Sequence, residues 1–465
     1  MQISSLNPAT GEILEEFANT GPADVERAVA RAARAQTSWA KDKTARKQGI
    51  KDLGAVLSDR AGEIAALITL ETGKVTADAE AEVAEVIDAV DHYLACLEET
   101  TARPIAVPAD VFPATDVSYE ARPVGVIGMI MPWNFPFYTP MMCLIPCLLA
   151  GNAAVLKPSE YATLCGRLIL ELTEAAGLPQ DLVQLVPGDG DTGQALVRSH
   201  VDRVFFVGSR TTGRSVVAHA GLTPVHYELG GNSAAVVLSD ADLDLTAAAI
   251  AWGAAYHSGQ DCAAVKRVYA EAGVAEALID RLAAVLGTLT PGVDYGPYIR
   301  RPFLDLAQRR TADAVASGSR LVTGGQRLSE PHPNGNWLAP ALVELHADTV
   351  PLVMEETFGN VIPVLAVPDA DSAVRHANSS RQSLSASVFT SDTGRARSLA
   401  EELEAAMVFV NDPFVNLPGA DHWTGWNDSG SGSMESRWQQ CHRKRVLSVH
   451  SSSRPRDFWF GGAGT

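Results

Sequence analysis

Apolar residues recur at helical spacing over residues 25–39, 61–70 and 83–97, so the first hundred residues read as largely helical. Between Pro104 and Pro123 the pattern changes, with prolines separated by short β-branched pieces such as Asp116-Val-Ser-Tyr119. That reads as an extended arm or hairpin, and its edge strands suit pairing with another subunit. From Val124 onward short apolar runs at 124–130, 153–156, 182–186 and 203–207 alternate with helical stretches at 161–176 and 192–198. Such alternation predicts a parallel α/β sheet. A second alternating region runs from Ala234 past Val410, and a closing strand is expected at 445–450. The pattern therefore predicts an α/β protein with two sheet domains and a small β element.

Composition narrows this further. A chain of 465 residues suggests two to four domains at about 100–200 residues each. Lys+Arg 37 against Asp+Glu 55 gives a net charge of -18, which argues against a nucleic-acid or anionic-membrane partner, since both need clustered cations. The six cysteines form no C-x-x-C pair and no zinc spacing, so neither a metal site nor a disulfide framework is expected. Reduced thiols and the absence of a basic-then-apolar start lead to the expectation of a cytoplasmic protein. The longest apolar stretch, 141–149, is interrupted by Pro146 and is far shorter than the roughly 20 residues of a membrane span.

Candidate chemistry begins with a misleading motif. Gly188-Asp-Gly-Asp-Thr-Gly193 matches G-x-G-x-x-G between a strand and a helix. Asp189 and Asp191 would set two carboxylates beside a dianionic pyrophosphate, so the run reads better as a tight strand-to-helix turn. Phe205-Phe-Val-Gly208-Ser209 ends the next strand with free backbone N–H groups and no acid. It can cradle a phosphate, or Ser209 can simply cap a helix. Lys157-Pro-Ser-Glu160 leaves another strand end and suits a ribose, or consists of two solvated loop charges.

Several motifs then stand in one order: Pro132-Trp-Asn-Phe-Pro136, Lys157-Pro-Ser-Glu160, Phe206-Val-Gly-Ser209, Glu228-Leu-Gly-Gly231, Gly259-Gln-Asp-Cys262, Glu355-Glu-Thr-Phe-Gly359 and Ser429-Gly-Ser-Gly432. Together with the opening Asn7-Pro-Ala-Thr-Gly11, this set resembles the NAD(P)-dependent aldehyde dehydrogenase superfamily over nearly the whole chain. The resemblance implies a Rossmann-like cofactor domain at 1–103 and 124–233, a catalytic domain at 234–440, and an oligomerisation arm and tail at 104–123 and 441–465. It implies a homodimer or homotetramer that oxidises a small-molecule aldehyde to a carboxylic acid. Cys262 would be the nucleophile, Asn134 the oxyanion donor and Glu228 the general base that hydrolyses the thioester. Lys157 and Glu160 would hold the adenosine ribose, Gly208 and Ser209 the pyrophosphate, and Glu356 the nicotinamide ribose with Phe358 beside it. Ile130, Trp133 and Leu229 would line the cofactor. Glu160 favours NAD, while Lys157 and Ser159 leave NADP possible. Alternatives are a CoA-acylating or reductive relative, against which Glu228 argues, and a non-catalytic NAD-binding descendant, against which the retained trio argues.

Three positions depart from the family pattern. Asn360 stands where Pro is usual, Asn427 stands where Lys is common, and an acid, Asp261, precedes the nucleophile. The first two bear on the loop over the substrate mouth. Asp261 either raises the Cys262 pKa or binds a cationic substrate group. The resemblance also implies an aromatic, apolar tunnel built from Phe135, Tyr138, Met142, Tyr256 and Trp423. The aromatic tail, Phe458-Trp-Phe460, would pack at the subunit contact or limit substrate size.

Overall fold

The structure, a computed structural model, describes residues 2–99, 103–109, 112, 114–414, 425–432 and 436–452. Trp423 and the 458–460 tail lie outside the described residues. An antiparallel hairpin, β1 (Gln2–Leu6) against β2 (Ile13–Ala18), precedes four helices: α1 (Pro22–Trp39), α2 (Lys43–Asp59), α3 (Ala61–Thr72) and α4 (Thr76–Glu99). The apolar spacing located α1, α3 and α4 but not the hairpin or α2. In α2 only Arg46, Ile50, Leu53 and Leu57 are buried, a stripe too narrow to stand out among polar neighbours. Asp42 sets its start by accepting the Ala45 N–H at 2.9 Å.

After β3 (Arg103–Ile105) and β4 (Thr115–Pro123) the first large sheet begins. Its run is β5 (Val126–Ile130), α5 (Tyr138–Leu149), β6 (Ala153–Lys157), α6 (Thr163–Ala175), β7 (Val183–Leu185), α7 (Gly190–Arg198), β8 (Arg203–Gly208), α8 (Arg210–His219) and β9 (Val225–Leu229). The strands are parallel in the order β7-β6-β5-β8-β9. The order reverses between β5 and β8, and such a switch point opens a crevice at the carboxyl ends of the strands. Every residue of β5 and β6 is buried, as a sheet covered on both faces requires. One core joins this sheet to α1–α4, and Trp438 and Cys441 return to it from the far end of the chain.

The second region runs β10 (Ala234–Val237), α9 (Leu243–Ala255), β11 (Arg267–Glu271), α10 (Ala272–Leu286), α11 (Arg301–Ala316), β12 (Arg320–Thr323), β13 (Ala341–Glu344), α12 (Pro351–Met354), β14 (Val361–Val367), α13 (Ala370–Ala377), β15 (Gln382–Ser383), β16 (Ser385–Phe389), α14 (Thr393–Glu402) and β17 (Met407–Val410). Its sheet has the order β12-β13-β14-β11-β10-β16-β17. It is parallel except at β12, an antiparallel edge strand. Alternate residues of β10 feed opposite faces: Ala234 and Val236 enter one core, Ala235 and Val237 the other.

The short β18 (Trp426–Asn427) pairs with β15, and α15 (Arg437–Gln440) leads into β19 (His442–His450). β19 lies antiparallel along the whole of β4, with β3 on the other side. The predicted arm and closing strand thus form one three-stranded sheet. Among the described residues no helix is long and apolar enough to cross a membrane.

Candidate active site

The carboxyl ends of the first sheet carry one half of the site. Beyond β5 the chain turns through Trp133, Asn134 and Phe135 before α5 begins. Buried Glu82, on α4, fixes this turn by accepting the N–H groups of Phe137 at 3.0 Å and Tyr138 at 2.9 Å. A carboxylate at a helix N-terminus complements the helix dipole. Lys74 balances Glu82 in a fully buried ion pair, and its ammonium lies 3.8 Å from the centre of the Phe135 ring. Glu71 caps α6 in the same way, accepting the N–H groups of Leu164 and Cys165 at 2.8 Å.

At the end of β6, Lys157 is buried with its ammonium 3.6 Å from Glu160. Burial lowers the Lys157 pKa, and Glu160 works against that shift. Ser209 caps α8, with its Oγ accepting the Thr212 N–H at 3.2 Å. Ser209, Thr211 and Thr212 at the start of α8 also line the crevice, so the two readings of Ser209 are compatible. At the end of β9, Glu228 and Leu229 are buried. Residues 429–431 extend the sheet there: Leu229 N–H donates to Ser429 O at 2.8 Å and Ser431 N–H to Tyr227 O at 3.1 Å. The 188–193 run behaves as a local turn. Asp189 caps α7, accepting the Asp191 N–H at 3.0 Å and the Asn19 amide at 2.7 Å, so its own carboxylate occupies that helix start.

The other half comes from segments that lead into strands of the second sheet. Cys262 stands before β11, after three consecutive left-handed residues: His257 (φ 45), Ser258 (φ 56) and Gly259 (φ 68). Such a conformation costs about 1–2 kcal/mol for each non-glycine residue. A side chain at Gly259 would also run into the Gly359 carbonyl. Buried groups hold the strained run. Ser258 Oγ donates to Gly296 O, Lys266 to Gly259 O, and the Gln260 amide to His257 O at 3.2 Å and Pro297 O at 3.1 Å. Asp261 is buried beside Cys262, accepts the Ala263 N–H at 2.7 Å and hydrogen-bonds the thiol. Burial pushes the Cys262 pKa well up, and the charges of Asp261, Glu228 and Glu356 push it further.

Glu356 precedes β14. Its Oε2 accepts the Gln382 amide at 3.1 Å, and its buried Oε1 has no hydrogen-bond partner among the described residues. Burial raises its pKa to about 7, against the pull of Lys266 and Gln382. A Cβ at Gly230 would collide with this carboxylate, so the Gly-Gly turn after Glu228 exists to admit it. Arg310 braces the loop through Glu355 and Glu356 O, and donates to Thr357 Oγ1 at 3.1 Å. Phe358 packs edge-on to Trp133, with ring centres 5.5 Å apart. The two Asn departures are local anchors. Asn360 accepts the Tyr298 hydroxyl at 2.8 Å and donates to Leu338 O at 3.3 Å. Asn427 sits at φ 51, a conformation Asn tolerates better than Lys does, and donates to Ser383 Oγ at 3.2 Å.

The residues given catalytic or cofactor roles in the sequence reading all line one cavity of about 920 Å³: Ile130, Trp133, Asn134, Lys157, Glu160, Gly208, Ser209, Glu228, Leu229, Cys262, Glu356 and Phe358. Met142 does not line it. It is buried, and its carbonyl accepts the Tyr93 hydroxyl at 3.1 Å. Sequence reasoning missed Lys74, Glu82, Lys266, Arg310 and Gln382, which hold the site from behind, and Glu85, Trp252 and Phe414, which line it.

Comparison with known proteins agrees with this arrangement. The model of the aldehyde dehydrogenase family matches residues 1–445. The chain is 35% identical over 417 residues to succinate semialdehyde dehydrogenase [NAD(P)+] Sad of Escherichia coli, covering 88% of this chain and 89% of that one. It is 34% identical over 424 residues to 4,4'-diapolycopene aldehyde oxidase of a Methylomonas species, covering 89% and 79%. Lactaldehyde dehydrogenase from Escherichia coli superposes with a TM-score of 0.91 at 29% identity, over 97% of this chain and 96% of that chain. The chain belongs to the aldehyde dehydrogenase family.

Proposed function

We propose that this protein oxidises an aldehyde to a carboxylic acid with NAD(P)+, through a thioester on Cys262 that water then hydrolyses. The observation that carries this reading is the convergence of Asn134, Glu228, Cys262 and Glu356 on one cavity. The cavity suits a dinucleotide. The lone Oε1 of Glu356 can accept a ribose hydroxyl, the start of α8 at Ser209 can meet a pyrophosphate, and Lys157 with Glu160 can hold a second ribose. NAD(P)+ bound there would supply the hydride acceptor that converts the thiohemiacetal to the thioester. Glu160 weights the choice toward NAD, because its carboxylate opposes a 2′-phosphate.

The chain's own groups perform the remaining work. The Cys262 proton leaves to one of the carboxylates around it, Asp261 or Glu228. The sulfur attacks the carbonyl carbon, and the Asn134 amide with the Cys262 N–H receives the developing oxyanion, a donor being worth about 3–4 kcal/mol. Glu228, ionised again once any proton taken from the thiol has passed to solvent, then takes a proton from water as the water oxygen bonds the acyl carbon, and the C–S bond breaks to release the carboxylic acid and the Cys262 thiolate.

Two further readings belong to this proposal. The sheet of β3, β4 and β19 would bridge subunits in a homodimer or homotetramer. Tyr119, Val446 and Val449 are 49%, 58% and 47% exposed on that sheet, which supports an interface there. All six cysteines are free, in keeping with a reducing cytoplasm. The enzymatic test is NAD(P)H formation from an aldehyde panel with and without CoA. Unaltered product and rate with CoA fit hydrolysis, whereas an acyl-CoA product would overturn it.

A further inference from the structure

Away from the crevice, a second cavity of about 530 Å³ opens where the turn between α1 and α2 meets the paired strands β4 and β19. Lys41, Lys43, Arg46, Arg122 and His442 line it, and among the described residues no Asp or Glu does. In a chain of net charge -18, four cations around one cavity reverse the sign locally. Described acids close by in sequence are engaged elsewhere. Asp42 caps α2 through the Ala45 N–H at 2.9 Å, Glu98 pairs with Lys47 at 2.6 Å, and Glu120 pairs with Arg445.

The central group is Arg46, which is 9% exposed and forms no ion pair among the described residues. Its Nε donates to Leu149 O at 2.9 Å, and its Nη1 to Ala40 O at 2.7 Å and Trp39 O at 3.3 Å. Its Nη2 has no hydrogen-bond partner among the described residues. Burial lowers the Arg46 pKa, and only the charge of Asp42 works against that shift. A buried cation without a counter-ion is costly. Lys43 opens α2, whose first turn holds no acid, although the positive end of a helix disfavours a cation there. Lys41 and Arg122 are exposed, and their side chains make no hydrogen bond or ion pair among the described residues. His442 Nδ1 donates to Trp438 O at 2.8 Å. Burial, and then the charges of Arg46 and Arg203, hold the His442 pKa below its ordinary value.

These placements are unfavourable in the protein alone and become favourable once an anion enters. We propose that this cavity binds a phosphate group, free or carried on a small polyol. A phosphate has a charge near -2 and three strong acceptor oxygens. It can therefore meet the open Nη2 edge of Arg46, the Arg122 fork and a lysine together, where a single carboxylate would leave most of the positive charge unanswered. The cavity falls within the roughly 300–1,000 Å³ of small-molecule sites, which leaves room for a short chain beside the phosphate. Gln36, which also lines it, donates its Nε2 to Gly151 O at 2.9 Å and keeps its Oε1 for a hydroxyl. Among the described lining residues His442 is the only aromatic ring, so a nucleobase finds no stacking platform. The site stands apart from the aldehyde-oxidation reading and does not depend on it.

The test is calorimetric titration of the full chain, with NAD+ present in excess to occupy the dinucleotide crevice. The probes are inorganic phosphate, glycerol 3-phosphate and glycerol. One phosphate should bind per chain, and glycerol should not bind. Lys41→Glu and Arg122→Glu should each weaken phosphate binding by about tenfold or more, because each replaces an attractive charge with a repulsive one. Both positions are exposed and unpaired, so the fold does not rely on them. Lys51→Glu, an exposed position on α2 outside the cavity, is the control for net charge and should bind as the unaltered chain does. Tighter binding of glycerol 3-phosphate than of phosphate assigns the site to an ester, and equal affinity assigns it to free phosphate; both support the proposal. No saturable binding of either anion, binding unmoved in Lys41→Glu and Arg122→Glu, or an equal loss in Lys51→Glu would overturn it.

Discussion

The two sheets contribute to one cavity from opposite strand ends. In the first sheet, Asn134, Lys157, Ser209 and Glu228 sit at or just beyond strand carboxyl ends. In the second, Cys262, Glu356 and Gln382 lie on segments that precede β11, β14 and β16. The difference shows in how each half is held. The first half relies on helix starts capped by Ser209, Glu71 and Glu82. The second relies on strained backbone and on cations buried behind it, Lys266 and Arg310. A cofactor site can be assembled from regular strand-to-helix turns. The proposed nucleophile, Cys262, would need a loop that regular structure does not supply, and the left-handed run at 257–259 provides one.

The comparison can be broken at several points, beginning with the largest effect. Cys262→Ala should lower kcat on the order of 10⁴-fold or more while NAD+ binding, read by fluorescence titration, persists. Comparable loss of both would mean that the second half also builds the cofactor site. Next, Glu82→Ala strands Lys74 as a buried unpaired charge and frees the turn carrying Asn134. A stability loss of about 3–5 kcal/mol is expected from denaturant unfolding. Glu82→Gln, which keeps an acceptor for the two N–H groups, should retain part of that stability and lower kcat more than it raises KM.

A pH profile sharpens the role of Glu356. Its pKa is raised from 4.5 to about 7, so its contribution to stability is fully present below the unfolded value and is lost as pH rises through about 7. Cofactor binding as proposed runs the other way, because the ionised carboxylate is the better acceptor for a ribose hydroxyl at Oε1. NAD+ affinity measured by calorimetry should rise about tenfold between about pH 6 and pH 8, and Glu356→Gln should flatten the profile. A smaller effect is expected on the thiol. Asp261→Asn removes a neighbouring charge that raises the Cys262 pKa, so alkylation by iodoacetamide at neutral pH should quicken by a few-fold. Ser209→Ala should cost about 1 kcal/mol through the lost cap, with a modest rise in the KM for NAD+.

How far the sequence could be read follows the same divide. The strands of the first sheet are short apolar runs bounded by turns, and each motif is a contiguous run at a strand end, so position along the chain nearly equals position in the fold. Cys262 and Glu356 were legible only as members of an ordered motif set. The groups that hold them are not. Lys266 and Arg310 look like ordinary charges in sequence, and only tertiary packing brings Lys266 to the Gly259 carbonyl and Arg310 to the Glu355–Thr357 loop. Glu82 likewise sits in an acidic helix, and burial against α5 separates it from its solvated neighbours. Met142 differs from the expectation because it lies in a helix whose residues 140–149 are all buried, so the run has no polar face to show which side meets the cavity.

The central claim is that a nucleophile from the second sheet and a base from the first act in turn on one carbon. It is tested most directly by mixing Glu228→Gln with NAD+ and a neutral aldehyde, quenching in acid, and mapping the adduct by mass spectrometry. The account predicts a burst near one NADH per active site, slow turnover afterwards, and an acyl group on Cys262 alone. Steady turnover at the wild-type rate, or a burst with the acyl group on any other residue, would contradict it.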